Sequence, residues 1–502
     1  MATNEKNPVI KDQQATGLQG NMGTAALVMT VLAFSAPLST ATGFIPQLLI
    51  YGSANNGTGN SAPLIYLLII VYLMFFAVGF AKMGTVMERP GGFYAYITDG
   101  LGKKVGLTSA MISALGYSLV GFFMPGLMAI LFQELLNSFG ISSGPWWIWA
   151  VVFAVLSTLL ACMNINFSAK LLFVVMVFEV LIIIVFDILS FANGAPASAG
   201  GARVSLFDLS TGTFGIAMLF ATGNFYGFEA TVIYREECKE PKKTIPRATY
   251  IAVIGIGIFY LFTSWGFIAY FGANEVSGIA AEHQTNLFFI VIEGLIGPMA
   301  VDIINVIAMF SVFASGLAIH NVGARYLYSL GVDGVLPRAF GKVAPKQHSP
   351  YVAALFIGAL WIVLVIILGA FAGNTAEYTF TRPNVIGNLF VTIILCVVAC
   401  AVLAYMRKNA DKYGFNIFQT TIAPILGLCG IGFTVVMCVM NLTAFLGTSV
   451  SGVLAILVFT VVYAGGSYVY AGWLKKNKPD IYARIGRMDP DIMDVDEMEK
   501  TK

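Results

Sequence analysis

Apolar stretches long enough to cross a lipid bilayer follow one another along almost all of this 502-residue chain. A membrane-crossing helix needs about 20 apolar residues, and twelve stretches satisfy that requirement. Because lipid offers the backbone no hydrogen bonds, each stretch is predicted to be a helix, and the predicted fold class is an all-α membrane protein. We call the stretches spans 1 to 12. They cover roughly residues 25–51, 64–87, 106–137, 146–163, 169–192, 212–233, 248–271, 287–319, 350–371, 385–406, 420–441 and 448–473.

The composition excludes a soluble fold and several classes of function. Hydrophobic residues make up 58% of the chain and charged residues 11%, too little charge to cover a water-exposed surface. The net charge is +2 and no basic tract is interleaved with aromatic residues, so no nucleic-acid partner is expected. The sequence has no phosphate-binding loop, catalytic triad or metal-ligand cluster. Neither an enzyme nor a bound cofactor or metal is therefore predicted.

The distribution of basic residues predicts the orientation in the membrane. An even number of spans places both termini on one side, and all Lys and Arg residues except Arg203 and Arg382 then fall on that side. Loops rich in Lys and Arg stay in the cytosol. The sequence therefore predicts a multi-pass protein of the cell membrane whose two termini are cytosolic.

The expected domain organisation is one membrane domain between two cytosolic ends. The domain covers residues 25–473, preceded by a polar segment at 1–24 and followed by a charged tail at 474–502 that is expected to be solvated and flexible. The first segment lacks a cleavable signal peptide. The six cysteines lie in apolar spans or predicted cytosolic loops, so no disulfide framework is expected. Nothing in the sequence indicates an oligomeric state.

Spans 1 and 6 are poor continuous helices. In span 1, Pro37 and Pro46 flank a stretch rich in Ser, Thr and Gly, and each proline removes a backbone donor and clashes with the preceding turn. Span 6 carries Gly223, Asn224 and Gly227 near its middle. Either interruption alone could be an ordinary kink. A pair of interruptions in the first helices of two halves is the arrangement of inverted-repeat transporters.

Unwound backbone in the middle of a membrane is tolerated where it lines a cavity or binds a ligand. The N-terminus of a half-helix is partly positive and suits a carboxylate, whereas freed carbonyl groups suit an ammonium group or a cation. An α-amino acid carries both charges close together. The interruptions therefore predict a binding site for a small zwitterion between spans 1 and 6.

Two motifs stand out, one that begins within span 6 and continues after it, and one that follows span 8. The first motif is GFE at 227–229 together with EECKEPKKTIPRA at 236–248. The second consists of HNVGARYLY at 320–328, DGVLP at 333–337 and SP at 349–350. Together they resemble the signatures of the amino acid–polyamine–organocation superfamily, specifically its amino acid permeases. The resemblance extends through the twelve-span layout over nearly the whole chain. It implies a five-plus-five inverted repeat, covering about 25–192 and 212–406, with two further helices at about 420–473.

The resemblance also implies a substrate site between spans 1, 3, 6 and 8, built largely from the backbone of the two interrupted helices. In this sequence the span 1 segment has one glycine where relatives often have two, and the neighbouring hydroxyl groups are expected to serve as additional donors. Phe225 is expected to close over the substrate, with Tyr117 as a weaker aromatic candidate. The predicted substrate-binding residues are Ser39, Thr40, Ala41, Thr42, Gly43, Gly223, Asn224, Phe225, Gly227 and Tyr117.

Two acidic residues are candidates for ion coupling or gating. Glu179 lies within span 5, where many proton-coupled relatives place a lysine, and a charged, unpaired acid at that depth is costly. It is predicted to form a coupling site for a proton or a sodium ion; the alternative is a protonated carboxyl bonded to a neighbouring helix. Glu229 follows the interruption of span 6 and is either a gate or a structural acceptor.

These observations predict secondary active transport of an amino acid by alternating access, coupled to an ion, as a symporter or an antiporter. A neutral amino acid is preferred because Glu179 and Glu229 are the only deep acids near the expected site. A transporter or exchanger of polyamines or other organic amines is the main alternative. A nutrient-sensing receptor on the same scaffold is a remote one.

Overall fold

The computed structural model describes residues 23–53, 59–87, 92–163, 169–206, 213–228, 230–233, 238–344, 349–371, 376–446 and 448–487. Within these ranges the secondary structure is helical, and β pairing is limited to isolated bridges. The predicted all-α class is thus confirmed for the described residues. Ten of their helices are long and apolar enough to cross a membrane.

The ten helices correspond to spans 2 to 5 and 7 to 12. The other two predicted spans, 1 and 6, each consist of shorter helices. Span 3 has a turn at Phe122, and span 11 begins with a π-helical turn. The bounds of the ten are Ala62–Val86, Lys103–Gly121 with Phe123–Ser138, Trp146–Met163, Ala169–Ala192, Pro241–Phe271, Pro298–Val332, Tyr351–Phe371, Ala376–Lys408, Phe418–Ile422 with Ala423–Met440, and Val450–Asn477.

The predicted bounds of span 8, residues 287–319, are wrong. Leu287–Leu295 is a separate short helix, and the long helix runs over Pro298–Val332. Gly297 lies between them with φ 114°, and proline at the first helical position is typical of a helix start. The apolar residues continue on both sides of this junction, so hydrophobicity alone does not reveal the end of one helix and the start of the next.

Glycines allow the helices around the interrupted spans to approach closely. A Cβ atom added to Gly387 on span 10 would lie 2.5 Å from the backbone nitrogen of Val120 on span 3. A Cβ atom added to Gly100, in the short helix Gly92–Leu101, would lie 2.4 Å from the carbonyl oxygen of Ala401 on span 10. Small residues at such crossings are characteristic of membrane helix packing. Span 10 is therefore held against span 3, at the level of the cavity described below.

The chain after span 12 does not follow the expectation of a solvated tail as far as residue 487. A short helix, Pro479–Arg484, is followed by Ile485, which is buried, and by Gly486, whose N–H donates to Asp333 at 2.9 Å and to the Tyr94 hydroxyl at 3.0 Å. Ile485 is the apolar residue that packs here, and the many charged residues around it in the sequence led to the prediction of a solvated tail. Residues 488–502 lie outside the described residues.

Candidate functional site

Span 1 is interrupted at one residue. The helix Thr24–Ser35 ends at Ala36, which has φ 42° and ψ 81°, and a new helix begins at Pro37. Proline has no N–H, so it cannot continue the ladder of the first helix but suits the first turn of the second. This second half of span 1 then continues through a π-helical turn, Thr40–Phe44, into Ile45–Tyr51.

Side chains from other helices bind the backbone groups freed at this interruption. The N–H of Leu38 donates to Glu179 Oε2 at 3.2 Å, and the N–H of Ser39 faces Ser311 Oγ at 3.4 Å. Ser311 Oγ itself donates to Glu179 Oε2 at 2.7 Å. Glu179 is 3% exposed. The candidate coupling carboxylate of span 5 therefore lies at the N-terminus of the second half of span 1.

The freed carbonyl groups on the other side of Ala36 are also occupied. Ser315 Oγ donates to the carbonyl oxygen of Phe34 at 3.0 Å. The carbonyl oxygen of Ser35 accepts from Thr40 Oγ1 at 2.9 Å and from the Tyr260 hydroxyl at 3.2 Å. Spans 5, 7 and 8 thus supply the polar groups that make this interruption tolerable within an apolar environment.

Span 6 is interrupted over a longer stretch. Its first helix, Phe214–Gly223, is followed by turns through residue 228 that form hydrogen bonds between residues three apart, and Ala230–Ile233 is helical again. Gly227 has φ 106°, a conformation that glycine adopts without steric cost. Ser35 Oγ donates to the carbonyl oxygen of Asn224 at 3.2 Å, which joins the two interruptions directly.

A cavity of about 40 Å³ lies between the interruptions. A water molecule needs roughly 10–15 Å³ on this measure, so the cavity admits a group of a few heavy atoms. Spans 1, 3, 6, 8 and 10 all contribute to it, and none of the described residues that line it is charged. These residues are Phe34, Ser35, Ser39, Thr40, Phe44, Tyr117, Val120, Phe123, Gly223, Asn224, Tyr226, Gly227, Ser315, Ile319 and Asn388.

Six of the predicted substrate-binding residues line this cavity. They come from spans 1, 3 and 6 and meet through the interruptions. Two of their neighbours in the lining, Ser315 and Ile319, come from span 8, the fourth predicted contributor. The six are Ser39, Thr40, Tyr117, Gly223, Asn224 and Gly227.

The other predicted substrate-binding residues lie outside the lining. Ala41 is fully buried, and Thr42 donates its hydroxyl to the carbonyl oxygen of Leu38 at 2.9 Å within its own helix. Gly43 belongs to the same π-helical turn. Phe225 packs against Tyr66 on span 2, with ring centroids 6.4 Å apart. Glu229 lies outside the described residues.

Comparison with known proteins identifies the family of the chain. The sequence profile of the family described as "Amino acid permease" matches residues 38–481. The chain belongs to the amino acid permease family. Its transporter relatives also mean that it is a transporter and not an enzyme.

Two curated relatives and one solved structure illustrate the similarity of this permease to other proteins. The low-affinity putrescine importer PlaP of Escherichia coli strain K12 is 23% identical over 434 residues, covering 83% of this chain and 88% of that one. The branched-chain amino acid permease BcaP of Lactococcus lactis subsp. cremoris strain MG1363 is 23% identical over 347 residues, covering 65% and 72%. The crystal structure of MhsT in complex with L-phenylalanine has a TM-score of 0.57 at 14% identity, covering 83% and 99%, and shares the fold.

Nine of the fifteen lining residues were not predicted from the sequence, and two of these nine, Tyr226 and Asn388, are polar residues that link spans 6 and 10. Tyr226, rather than Phe225, is the aromatic residue of the interrupted stretch that lines the cavity, and its hydroxyl contacts Asn388 and Thr392 on span 10. Span 10 was not among the predicted contributors. A signal was present: Asn384 and Asn388 stand four residues apart in an apolar span, and polar residues within membrane helices mark functional positions.

Proposed function

We propose that this permease moves a neutral amino acid across the cell membrane by alternating access, with a proton or a sodium ion near Glu179 biasing the exchange between its states. The observation that carries the proposal is the lining of the cavity. It presents hydroxyl, amide and backbone groups from both interrupted helices, and the described lining residues include no charged side chain. Such a lining suits a solute whose own charges cancel.

The two ends of the zwitterion have separate partners. The carboxylate lies at the N-terminus of the second half of span 1, which begins at Pro37. There the N–H of Ser39 has only a 3.4 Å contact with Ser311 Oγ, and the Ser39 hydroxyl has no partner among the described residues. A helix N-terminus favours an anion by its dipole and its free donors. The ammonium group lies against the unwound stretch of span 6, with Tyr117 and Tyr226 as neighbouring rings.

The transport cycle uses the architecture that the sequence predicts. Twelve membrane crossings, with spans 1 and 6 each crossing as two half-helices, form two inverted repeats at about 25–192 and 212–406 and two additional helices at about 420–473. Both termini are cytosolic. Rocking of the two repeats about the interruptions exposes the cavity to each side of the membrane in turn.

Glu179 is suited to couple an ion to this motion because it contacts the moving joint. Its carboxylate binds the backbone of span 1 and Ser311 of span 8 at once. A proton or cation at this carboxylate changes its attraction for the half-helix N-terminus. The ion therefore alters the relative stability of states in which spans 1 and 8 are together or apart.

A putrescine or other organic-amine transporter is the second candidate. It is favoured by the similarity to the putrescine importer PlaP, which extends over most of both chains. A dication would require acidic partners, and within the described lining the cavity supplies only neutral groups. The predicted gating acid Glu229 is only two residues from the lining residue Gly227 in sequence, but it lies outside the described residues.

Uptake into proteoliposomes tests the proposal. We expect saturable uptake of labelled neutral amino acids that excess putrescine does not inhibit. Gly223→Val should abolish it, since a Cβ atom there would lie 2.6 Å from Asn388 Oδ1. The matched control is Gly255→Val on span 7, where an added Cβ meets nothing within 4 Å. Uptake of putrescine without uptake of any amino acid would overturn the proposal.

A further inference from the structure

The cavity wall formed by spans 3, 6 and 10 contains an amide whose two ends have different surroundings. Asn388 on span 10 is 2% exposed and lines the cavity. Its Nδ2 donates to the carbonyl oxygen of Asn384 at 2.9 Å and to Asn384 Oδ1 at 2.5 Å. Its Oδ1 is buried and has no hydrogen-bond donor among the described residues.

The direction of this amide is fixed by its neighbours. Both atoms of Asn384 that face Asn388 are acceptors, so the reverse orientation would place oxygen against oxygen. Asn384 is in turn held to span 3, because its Nδ2 lies 3.5 Å from the carbonyl oxygen of Val120. The Tyr226 hydroxyl donates to the backbone carbonyl of Asn388 at 2.9 Å. Asn388 Oδ1 is therefore an acceptor with a defined direction.

This acceptor lies beside Gly223, another residue of the cavity lining. A Cβ atom built on Gly223 would lie 2.6 Å from Oδ1, nearer than to any other atom of Asn388. Gly223 itself lines the cavity. The absence of a side chain at residue 223 thus allows an acceptor that has no donor among the described residues to lie at the cavity wall, and buried acceptors are normally paired.

We propose that Asn388 is a specificity-determining residue: its Oδ1 accepts a hydrogen bond from the side chain of the substrate. The permease then prefers small neutral amino acids whose side chains carry a hydroxyl or an amide N–H. This inference rests on the proposed function. It adds the substrate class to it.

The substrate side chain is a better match for Asn388 than the α-ammonium group. The carboxylate site is on span 1, at Ser39, and the α-ammonium group is two bonds away from the carboxylate carbon, so it stays near the backbone of spans 1 and 6. An ammonium group also requires up to three acceptors, whereas Asn388 offers one. A small side chain extends from the α-carbon toward the remaining wall, where Asn388 lies.

Paired substrates test this assignment in the wild-type permease. Serine and alanine differ by one hydroxyl, and threonine and valine have nearly the same shape but differ in a hydroxyl. We expect kcat/KM for uptake to be about 10- to 100-fold higher for the hydroxyl member of each pair, because the member that lacks it leaves a buried acceptor unpaired. A ratio near one in both pairs would overturn the inference.

Asn388→Leu, which removes the acceptor at similar volume, should bring both ratios close to one. The ratio does not depend on how much protein folds, and Asn388→Ala provides a second variant if the leucine does not fit. A ratio that stays high in the variants, or an equal loss of all amino acids with the ratio unchanged, contradicts the inference. Amine transport without amino acid transport refutes the proposed function instead, and the two failures are distinguishable.

Discussion

The two interruptions of the membrane helices satisfy their freed backbone groups in different ways. Span 1 breaks at one residue, Ala36, and relies on side chains of spans 5, 7 and 8. Span 6 unwinds from 224 to 228 and mostly bonds to itself, through turns between residues three apart. The first interruption is therefore a joint made by tertiary contacts. The second interruption depends mainly on its local sequence.

This difference has a consequence for motion. A joint whose donors bind Glu179 and Ser311 changes when those side chains move, so span 1 responds to whatever binds near them. The unwound stretch of span 6 keeps its own bonds while its neighbours shift. We therefore expect span 1 to carry the ion response and span 6 to act as the steadier frame of the cavity.

The largest expected effect is at span 6. Gly227→Ala adds a side chain at φ 106°, and the new Cβ would lie 2.5 Å from Phe34 Cβ. Backbone strain and overpacking together should lower the free energy of unfolding by about 2–4 kcal/mol. Thermal unfolding of the purified protein measures this, and uptake should fall in parallel.

The control for this prediction is Gly255→Ala on span 7, where the added Cβ has open space. Alanine is the better helix former there, so the free energy of unfolding should stay the same or rise by up to about 1 kcal/mol. Equal destabilisation by both substitutions would mean that the geometry of Gly227 is not what sets the cost.

Removal of the carboxylate at span 1 should have an intermediate effect. Glu179→Leu leaves the buried N–H of Leu38 without its acceptor, which should lower the free energy of unfolding by about 1–2 kcal/mol. The measurement is again thermal unfolding. An unchanged or more stable protein would show that the carboxylate is not needed to cap the half-helix.

Glu179→Gln separates the cap from the charge. Its carbonyl oxygen can still accept from Leu38 and Ser311, so stability should remain within about 0.5 kcal/mol of the wild type while accumulation driven by an ion gradient is lost. Glu293→Gln, at an exposed acid in Leu287–Leu295, is the matched control and should leave accumulation unchanged. Undiminished gradient-driven uptake in Glu179→Gln eliminates Glu179 as the coupling residue.

The same contrast explains what the sequence could predict. Hydrophobic length placed the long helices, and proline and glycine located both interruptions, since these are local properties of the chain. Gly223, Asn224 and Gly227 could be found as lining residues for this reason. Neither the partners of span 1 nor the role of Tyr226 is local. They depend on which helix faces which, and periodicity does not encode that in a span that is apolar all round.

Span 10 shows the limit most clearly. Asn388 reaches the cavity because Gly116 and Gly387 let spans 3 and 10 approach closely. Two asparagines four residues apart indicated a polar face but not the helix it would meet. Phe225 and Tyr226 are adjacent, and a turn rather than a helix decides which of them lines the cavity. Sequence reasoning chose the neighbour because no residue pattern fixes the direction of side chains in an irregular stretch.

The smallest expected change in stability for a substitution at either interruption has the opposite sign to that of Gly227→Ala, so it compares the two interruptions directly. Ala36 adopts φ 42°, a left-handed conformation that costs alanine roughly 1–2 kcal/mol. Ala36→Gly removes that cost but adds backbone freedom to the unfolded chain, worth roughly 0.5–1 kcal/mol. The free energy of unfolding should therefore rise by about 0 to 1.5 kcal/mol. Ala41→Gly, in the neighbouring helical turn, should instead destabilise by about 1 kcal/mol. Equal destabilisation by both substitutions in thermal unfolding would mean that the Ala36 backbone is not strained. The interruption of span 1 would then depend only on its contacts with side chains of spans 5, 7 and 8.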